Sequence, residues 1–290
     1  MLLAADSERV RVLLAGMPRT VPRLVVSSVR DLPLALEKPT VRALLFDPNG
    51  VAVSSLRTLL RRAEVLTVRS YITSPRTLRS TELILHSADR GLAGALLCEC
   101  EADRAALLRQ LTSADAECSL TMRMLALIRE RMMEVPPMLR GVLVGVATSR
   151  CLASFSVRSL ARLTNISPRS SARWLAEAGL APPRALLTAF RLAHLGPELW
   201  DANLSMPTLA RRGGYANDRA LRANCKRLLG MSPSSLRRSR TDGELLEGLA
   251  GALLRSPAGD AWARSSAAAV AEHETEANWF SGETATKMYR

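Results

Sequence analysis

Aromatic side chains are scarce in this chain: four Phe, four Trp and three Tyr in 290 residues. A core built instead on Leu and Ala, beside abundant Arg, favours helix, because these residues lose little rotamer freedom there. Histidine is scarcer still, with His86, His194 and His273 only, and none stands in metal-ligand spacing with a cysteine. The five cysteines, Cys98, Cys100, Cys118, Cys151 and Cys225, are odd in number and include no C-x-x-C pair. That argues against a disulfide framework or a zinc site and fits a reducing cytoplasm. The C-x-C of "LLCEC" lies in an apolar run and reads as buried thiols in preference to a redox or metal site. The longest apolar run, "GVLVGVA", falls far short of the roughly 20 residues that cross a bilayer. "MLLAADSERVRVLL" meets acids early and has no basic lead-in, so it does not read as a signal peptide. No Gly-rich phosphate loop, nucleophile elbow or carboxylate constellation is present, so no enzymatic activity, cofactor or metal is expected.

Positive charge is what the chain has in excess. The formal net charge is +13, and residues 150–240 alone carry +12, from fifteen Arg and Lys226 against Glu177, Glu198, Asp201 and Asp218. Residues 241–290 are net −4 and residues 1–149 net +5. A field concentrated on one segment attracts polyanions, nucleic acid or an anionic membrane. A general arginine-rich bias is the plainer alternative.

The front of the chain alternates strand and helix. "RVRVLLAG", "PRLVVSSV", "VRALLFDPNG", "EVLTVRSYI" and "GLAGALLCE" read as strands. "AVSSLRTLLRRA", "SPRTLRSTELILHSA" (Ser74 as cap, Pro75 in the first turn) and "EADRAALLRQL" read as helices. Alternation of this kind implies a parallel sheet covered on both faces. "ECSLTMRMLALIRERMM" reads as a connecting helix that packs on the sheet or on a second copy of the chain, its Met residues filling core, and "VPPMLRGVLVGVATSRCL" starts a new helix after two prolines. The expected domains are 1–116 (α/β), 117–150 (helical connector), 151–240 (all-α) and 241–290, a tail that is mostly disordered once "GELLEGLAGALL" ends.

Residues 151–240 contain one short, basic, two-helix object built twice. In the first copy, Ser156 caps a helix with Val157, Leu160 and Leu163 on one face. After the turn at "NI", Ser167 caps a second helix, with Pro168 at its first position and Gly179 at its stop. Ser171, Leu175 and Ala178 face inward, while Arg169, Ala172 and Arg173 share an outer face. In the second copy, Ser205 caps "MPTLARRGG", "YAN" turns, and "DRALRANCKRLLG" buries Leu221, Cys225 and Leu228. Arg219, Arg222 and Lys226 then face outward, and Tyr215 packs between the helices. Two short helices with a tight turn form a helix-turn-helix. Guanidiniums one turn apart near a helix start can reach base edges or phosphates in a major groove.

These motifs together resemble the DNA-binding domain of AraC/XylS-type transcription regulators. The residues that carry the likeness are Ser167, Gly179 with Pro182, Arg191-Leu192, Gly214-Tyr215, Lys226-Arg227, Gly230-Met231-Ser232-Pro233 and Leu236-Arg237. The resemblance implies two helix-turn-helix units joined by one long helix. It implies base contacts from Arg169, Ala172 and Arg173 in the first unit and Asp218, Arg219 and Arg222 in the second, with Asn217 near a phosphate. Ser171 and Cys225 depart from the pattern, standing where the family buries Leu and Phe, and Ala223 replaces a common Arg. Gly196-Pro197 is the most unusual departure, since Pro inside the linking helix is expected to kink it and so make the two half-sites unequal.

The front half has a fainter likeness to a response-regulator receiver domain. Asp47 stands at a strand end and Thr73 near the next. With "AGMP" after the first expected strand and "LLCECE" after the last, the acidic pair and the lysine of a working receiver are missing. Asp47 therefore reads as a turn residue and the domain as a pseudo-receiver for dimerisation or docking. The expected fold class is thus an α/β N-terminal domain with a flavodoxin- or receiver-like parallel sheet, followed by an all-α double helix-turn-helix domain. The expected function is a sequence-specific DNA-binding regulator in the cytoplasm, at the nucleoid. Its partners would be double-stranded DNA, RNA polymerase and a second copy of the chain, with no membrane. A nonspecific nucleic-acid-binding or scaffold protein is the alternative.

Overall fold

The computed structural model describes residues 1–49, 51–75, 77–88, 92–97, 101–112, 119–149, 155–239 and 242–254. The expectations for Cys98, Cys100, Cys118, Cys151, His273 and the last part of the tail lie outside these residues.

Five strands form one parallel sheet: β1 (Leu2–Ala5), β2 (Arg23–Val26), β3 (Ala43–Phe46), β4 (Arg69–Thr73) and β5 (Leu92–Leu96). Their order is β2-β1-β3-β4-β5, all neighbours parallel. This is the flavodoxin-like doubly wound order. Among the described residues five α-helices belong to this half: α1 (Glu8–Ala15), α2 (Leu32–Ala35), α3 (Val53–Val65), α4 (Leu78–Ser87) and α5 (Glu101–Thr112). One face of the sheet, with Leu2, Ala4, Ala43, Leu45, Tyr71 and Ala93, is sealed by Val10, Leu13 and Leu14 of α1 and Leu107 and Leu111 of α5. Alternation along the strands sends Leu3, Leu44, Phe46 and Ile72 to the other face, and all four are buried.

Two local expectations change. "RVRVLLAG" is not a strand: it is α1, capped by Ser7, whose Oγ accepts from the Val10 amide at 3.2 Å. Val10, Leu13 and Leu14 recur at helical spacing and are buried. The first strand is instead "LLAA", four buried residues beginning at Leu2. The cap of α4 is Thr77, which accepts from the Ser80 amide at 3.1 Å, and not Ser74.

Helices α6 (Leu120–Glu134) and α7 (Pro137–Thr148) pack against α4, β5 and α10 (Pro183–Leu199), and so tie the sheet to the helical half. Arg140 of α7 is 5% exposed, donating to Glu82 Oε1 at 2.5 Å and to the Met133 carbonyl at 2.8 Å. Residues 1–254 form one compact unit. The helical half adds α8 (Val157–Thr164), α9 (Pro168–Glu177), α11 (Met206–Arg212), α12 (Asp218–Leu229) and α13 (Pro233–Ser239). Part of the segment read as a tail is also ordered: α14 (Asp242–Leu253) buries Leu245, Leu249 and Leu253 against α6, α10 and α12. The Ala181 amide donates to the Leu253 carbonyl at 2.8 Å, fixing its end.

Candidate nucleic-acid interface

Four helices of the basic segment start at a serine cap. Ser156, Ser167, Ser205 and Ser232 accept from the amides of Ser159, Ser170, Thr208 and Ser235 at 3.1, 3.0, 3.3 and 3.1 Å. Each thereby satisfies a first-turn N–H that the helix itself cannot pair. The stops are equally local. Asn165 (φ 52°), Gly179 (φ 68°) and Gly230 (φ 70°) take left-handed backbone, which turns the chain out of the helix.

The α8–α9 pair is the first helix-turn-helix and α11–α12 the second. Leu160, Ser171, Leu175 and Ala178 are buried in the first, and Leu221 and Cys225 in the second. Val157, Leu163 and Leu228 are only half-buried. Ser171 fits a site expected to be apolar because its hydroxyl donates to the Ser167 carbonyl at 3.0 Å, leaving no unpaired group. Burial pushes the Cys225 thiol up to about 12.

The outer faces of α9 and α12 are where the expected DNA contacts lie. Arg169, Arg173, Arg219, Arg222 and Lys226 are exposed, and Ala172 is half-buried between the two α9 arginines. Arg173 lies 3.7 Å from Glu177, and Arg222 lies 3.4 Å from Asp218. Exposed pairs of this kind hold weakly and yield readily to a phosphate. Among the described residues Arg169, Arg219 and Lys226 make no ion pair. Asn217 is exposed at the start of α12, but its Oδ1 caps the helix, accepting from the Ala220 amide at 2.8 Å. Arg158 and Arg162 on α8 and Arg211 on α11 add exposed charge.

What holds the two units together was less legible. Arg191 of α10 is half-buried; its Nη2 donates to the Phe155 carbonyl, before α8, at 2.6 Å. Its guanidinium carbon lies 5.8 Å from the ring centre of Tyr215, in the turn before α12. One side chain thus links the entry of the first unit to the turn of the second, through a hydrogen bond and a cation–π contact. Burial pulls the Arg191 guanidinium below its ordinary value, with the phenol opposing and Arg184 reinforcing. Arg237 of α13 donates to the carbonyls of Leu199 and Leu204, both at 2.8 Å, closing the loop between α10 and α11. Arg212 reaches Glu198 at 3.1 Å across the same junction.

Contrary to expectation, Gly196 and Pro197 do not fall in the middle of the linking helix. Gly196 and Pro197 lie in the last turn of α10, which runs on to Leu199. A proline so near the end forfeits one hydrogen bond without dividing the helix. Gly196 has its own reason: a Cβ there would stand 2.8 Å from Leu120 Cδ2 and 3.4 Å from Leu245 Cδ2. It lets α10 approach α6 and α14.

Residues 160–239 match a family model described as a helix-turn-helix domain. No curated protein and no solved structure matches the chain. The matched segment runs from within α8 to the end of α13, and so takes in both two-helix units and the helix that links them.

Proposed function

We propose that this protein is a sequence-specific DNA-binding transcription regulator of AraC type, with α9 and α12 as recognition helices in adjacent major grooves. The observation that carries the reading is the repetition: two capped helices, each with exposed arginines on its outer face, inside one helix-turn-helix match. Arg169, Ala172 and Arg173 would face bases of one half-site, and Asp218, Arg219 and Arg222 those of the next. Lys226, near the end of α12, would meet phosphate, while Asn217 would act by holding the helix start toward the backbone. Arg191 sets the spacing between the units.

The α/β half would serve dimerisation or docking of a signal, and RNA polymerase is the natural partner of a bound regulator. Duplex binding across a salt series tests the core of this reading. A selected duplex should keep its preference over random duplex at moderate salt, since base contacts survive screening that weakens phosphate contacts. Equal, steeply salt-dependent binding of both would instead make the protein a nonspecific nucleic-acid binder, the reading its +12 segment would otherwise support.

A further inference from the structure

In a doubly wound sheet the strand order reverses at one point, and the loops that leave the two strands there diverge and open a crevice at the strands' carboxyl ends. In the order β2-β1-β3-β4-β5 that point lies between β1 and β3. An open cleft of about 840 Å³ occupies it, bounded by the residues that follow β1, β2 and β3 and by the first turns of α3. That size is in the range of small-molecule sites.

The walls are polar, and their charges are unevenly committed. Asp6 is held by Arg11 through two hydrogen bonds of 2.6 and 2.5 Å, which keep its carboxyl below the usual range, so that wall carries no net charge. Arg62 is engaged with Glu37. Arg30 is exposed and makes no ion pair among the described residues. Asp47 accepts from the Asn49 amide at 3.0 Å through Oδ1. Ser27 and Ser55 bring hydroxyls. The thirteen-residue α3 begins at this cleft behind Ala52, which offers no side-chain cap. Ala52 and Ser55 line the cleft, so the positive end of the helix dipole lies at this wall.

We propose that this cleft binds a phosphorylated polyol, with the phosphate at the start of α3 and the hydroxyls on Asp47 and its neighbours. One cation, an uncapped helix start and hydroxyl donors suit a single anionic group. A carboxylate is the acceptor that adjacent hydroxyls require. Sugar phosphates and nucleoside monophosphates share this chemistry. The regulatory consequence rests on the front half receiving a signal; the binding itself does not.

Calorimetry on the full chain tests it with glucose 6-phosphate, adenosine monophosphate, inorganic phosphate, glucose and adenosine as probes. At least one phosphorylated probe binds saturably, about tenfold or more tighter than its unphosphorylated counterpart. Ser55→Glu, which puts a carboxylate in the first turn of α3, and Arg30→Ala each weaken it by about tenfold or more. Both positions are exposed, and thermal melts check that the fold is kept. Glucose 6-phosphate binding as well as the nucleotide assigns the site to the sugar phosphate; nucleotide binding alone shows that the base is also read. No saturable binding by either phosphorylated probe, equal affinity for inorganic phosphate, or indifference to both variants overturns the proposal. Duplex binding measured on the same samples, together with Arg219→Ala, separates its failure from failure of the DNA-binding reading.

Discussion

Gly213 offers a test in which two known effects have opposite signs. It closes α11 at φ −81° and ψ 2°, backbone that any residue adopts. Alanine there should gain about 0.5–1 kcal/mol by restricting the unfolded chain. The space forbids it. A Cβ would stand 2.4 Å from Leu195 Cδ1 and 2.9 and 3.0 Å from two Tyr215 ring carbons. The first distance is roughly an ångström short of the ~3.5 Å at which carbon atoms attract. Leu195 and Tyr215 are 2% and 6% exposed, so neither can swing aside into water. Overpacking of a filled core costs about 1–3 kcal/mol, and Gly213→Ala is expected to lose about 1–2 kcal/mol net. Urea unfolding of the full chain measures it. In Gly213→Ala/Leu195→Ala the new methyl finds room, so the two changes should couple favourably by about 1 kcal/mol. Gly214, at φ 69°, is the control: alanine there costs about 1–2 kcal/mol through backbone strain, without coupling to Leu195. Because the clash separates α10 from α11, the DNA affinity lost should concentrate on the second half-site. A variant as stable as the parent, or an additive double mutant, would refute the packing argument.

Arg173→Ala and Arg219→Ala should each cost about 1–3 kcal/mol of duplex binding and relax base preference, whereas Arg211→Ala should weaken all sequences alike; binding curves on single-base variants of a selected site distinguish them. Ending the chain at residue 240 removes α14 and three fully buried leucines, for a loss of about 5 kcal/mol visible as a lower denaturation midpoint; an unchanged midpoint would count against α14 as core. Thr121→Val replaces a buried hydroxyl that has no hydrogen-bond partner among the described residues and should leave stability unchanged or raise it by about 1 kcal/mol in the same unfolding assay. Cys225 has its thiol pushed from 9.0 up to about 12, so native alkylation near pH 8, measured against Cys225→Ala, should run roughly a thousandfold slower than for a free thiol. The sign for stability follows: the raised value favours the folded state below pH 9, and the gain is lost as pH climbs toward 12.

The helix-turn-helix half was legible because its determinants are local. A cap such as Ser167, an inward trio such as Ser171, Leu175 and Ala178, and a stop such as Gly179 all fall within thirteen residues. The helix period decides which arginines are left outside. The front half misled where a local pattern imitated another. "RVRV" alternates as a strand does, yet Ser7 and Glu8 ahead of it are a helix start, and burial of Val10, Leu13 and Leu14 follows the helix period. Misplacing the first strand moved its end from Asp6 to "AGMP", and so hid an acid lying across a cleft from Asp47. Even with the strand placed correctly, a receiver-like acidic site would not follow, because Asp6 is paired with Arg11. The cleft itself has no local signature: its walls come from strand ends some forty residues apart, joined only by the sheet order. Arg191 teaches the same lesson in the other half. Its sequence context says helix, but its role depends on Phe155 and Tyr215, 36 and 24 residues away. An arginine on the linking helix could as well have faced phosphate. What decides is that the Phe155 carbonyl and the Tyr215 ring both meet the one guanidinium, so its charge is spent inside the protein.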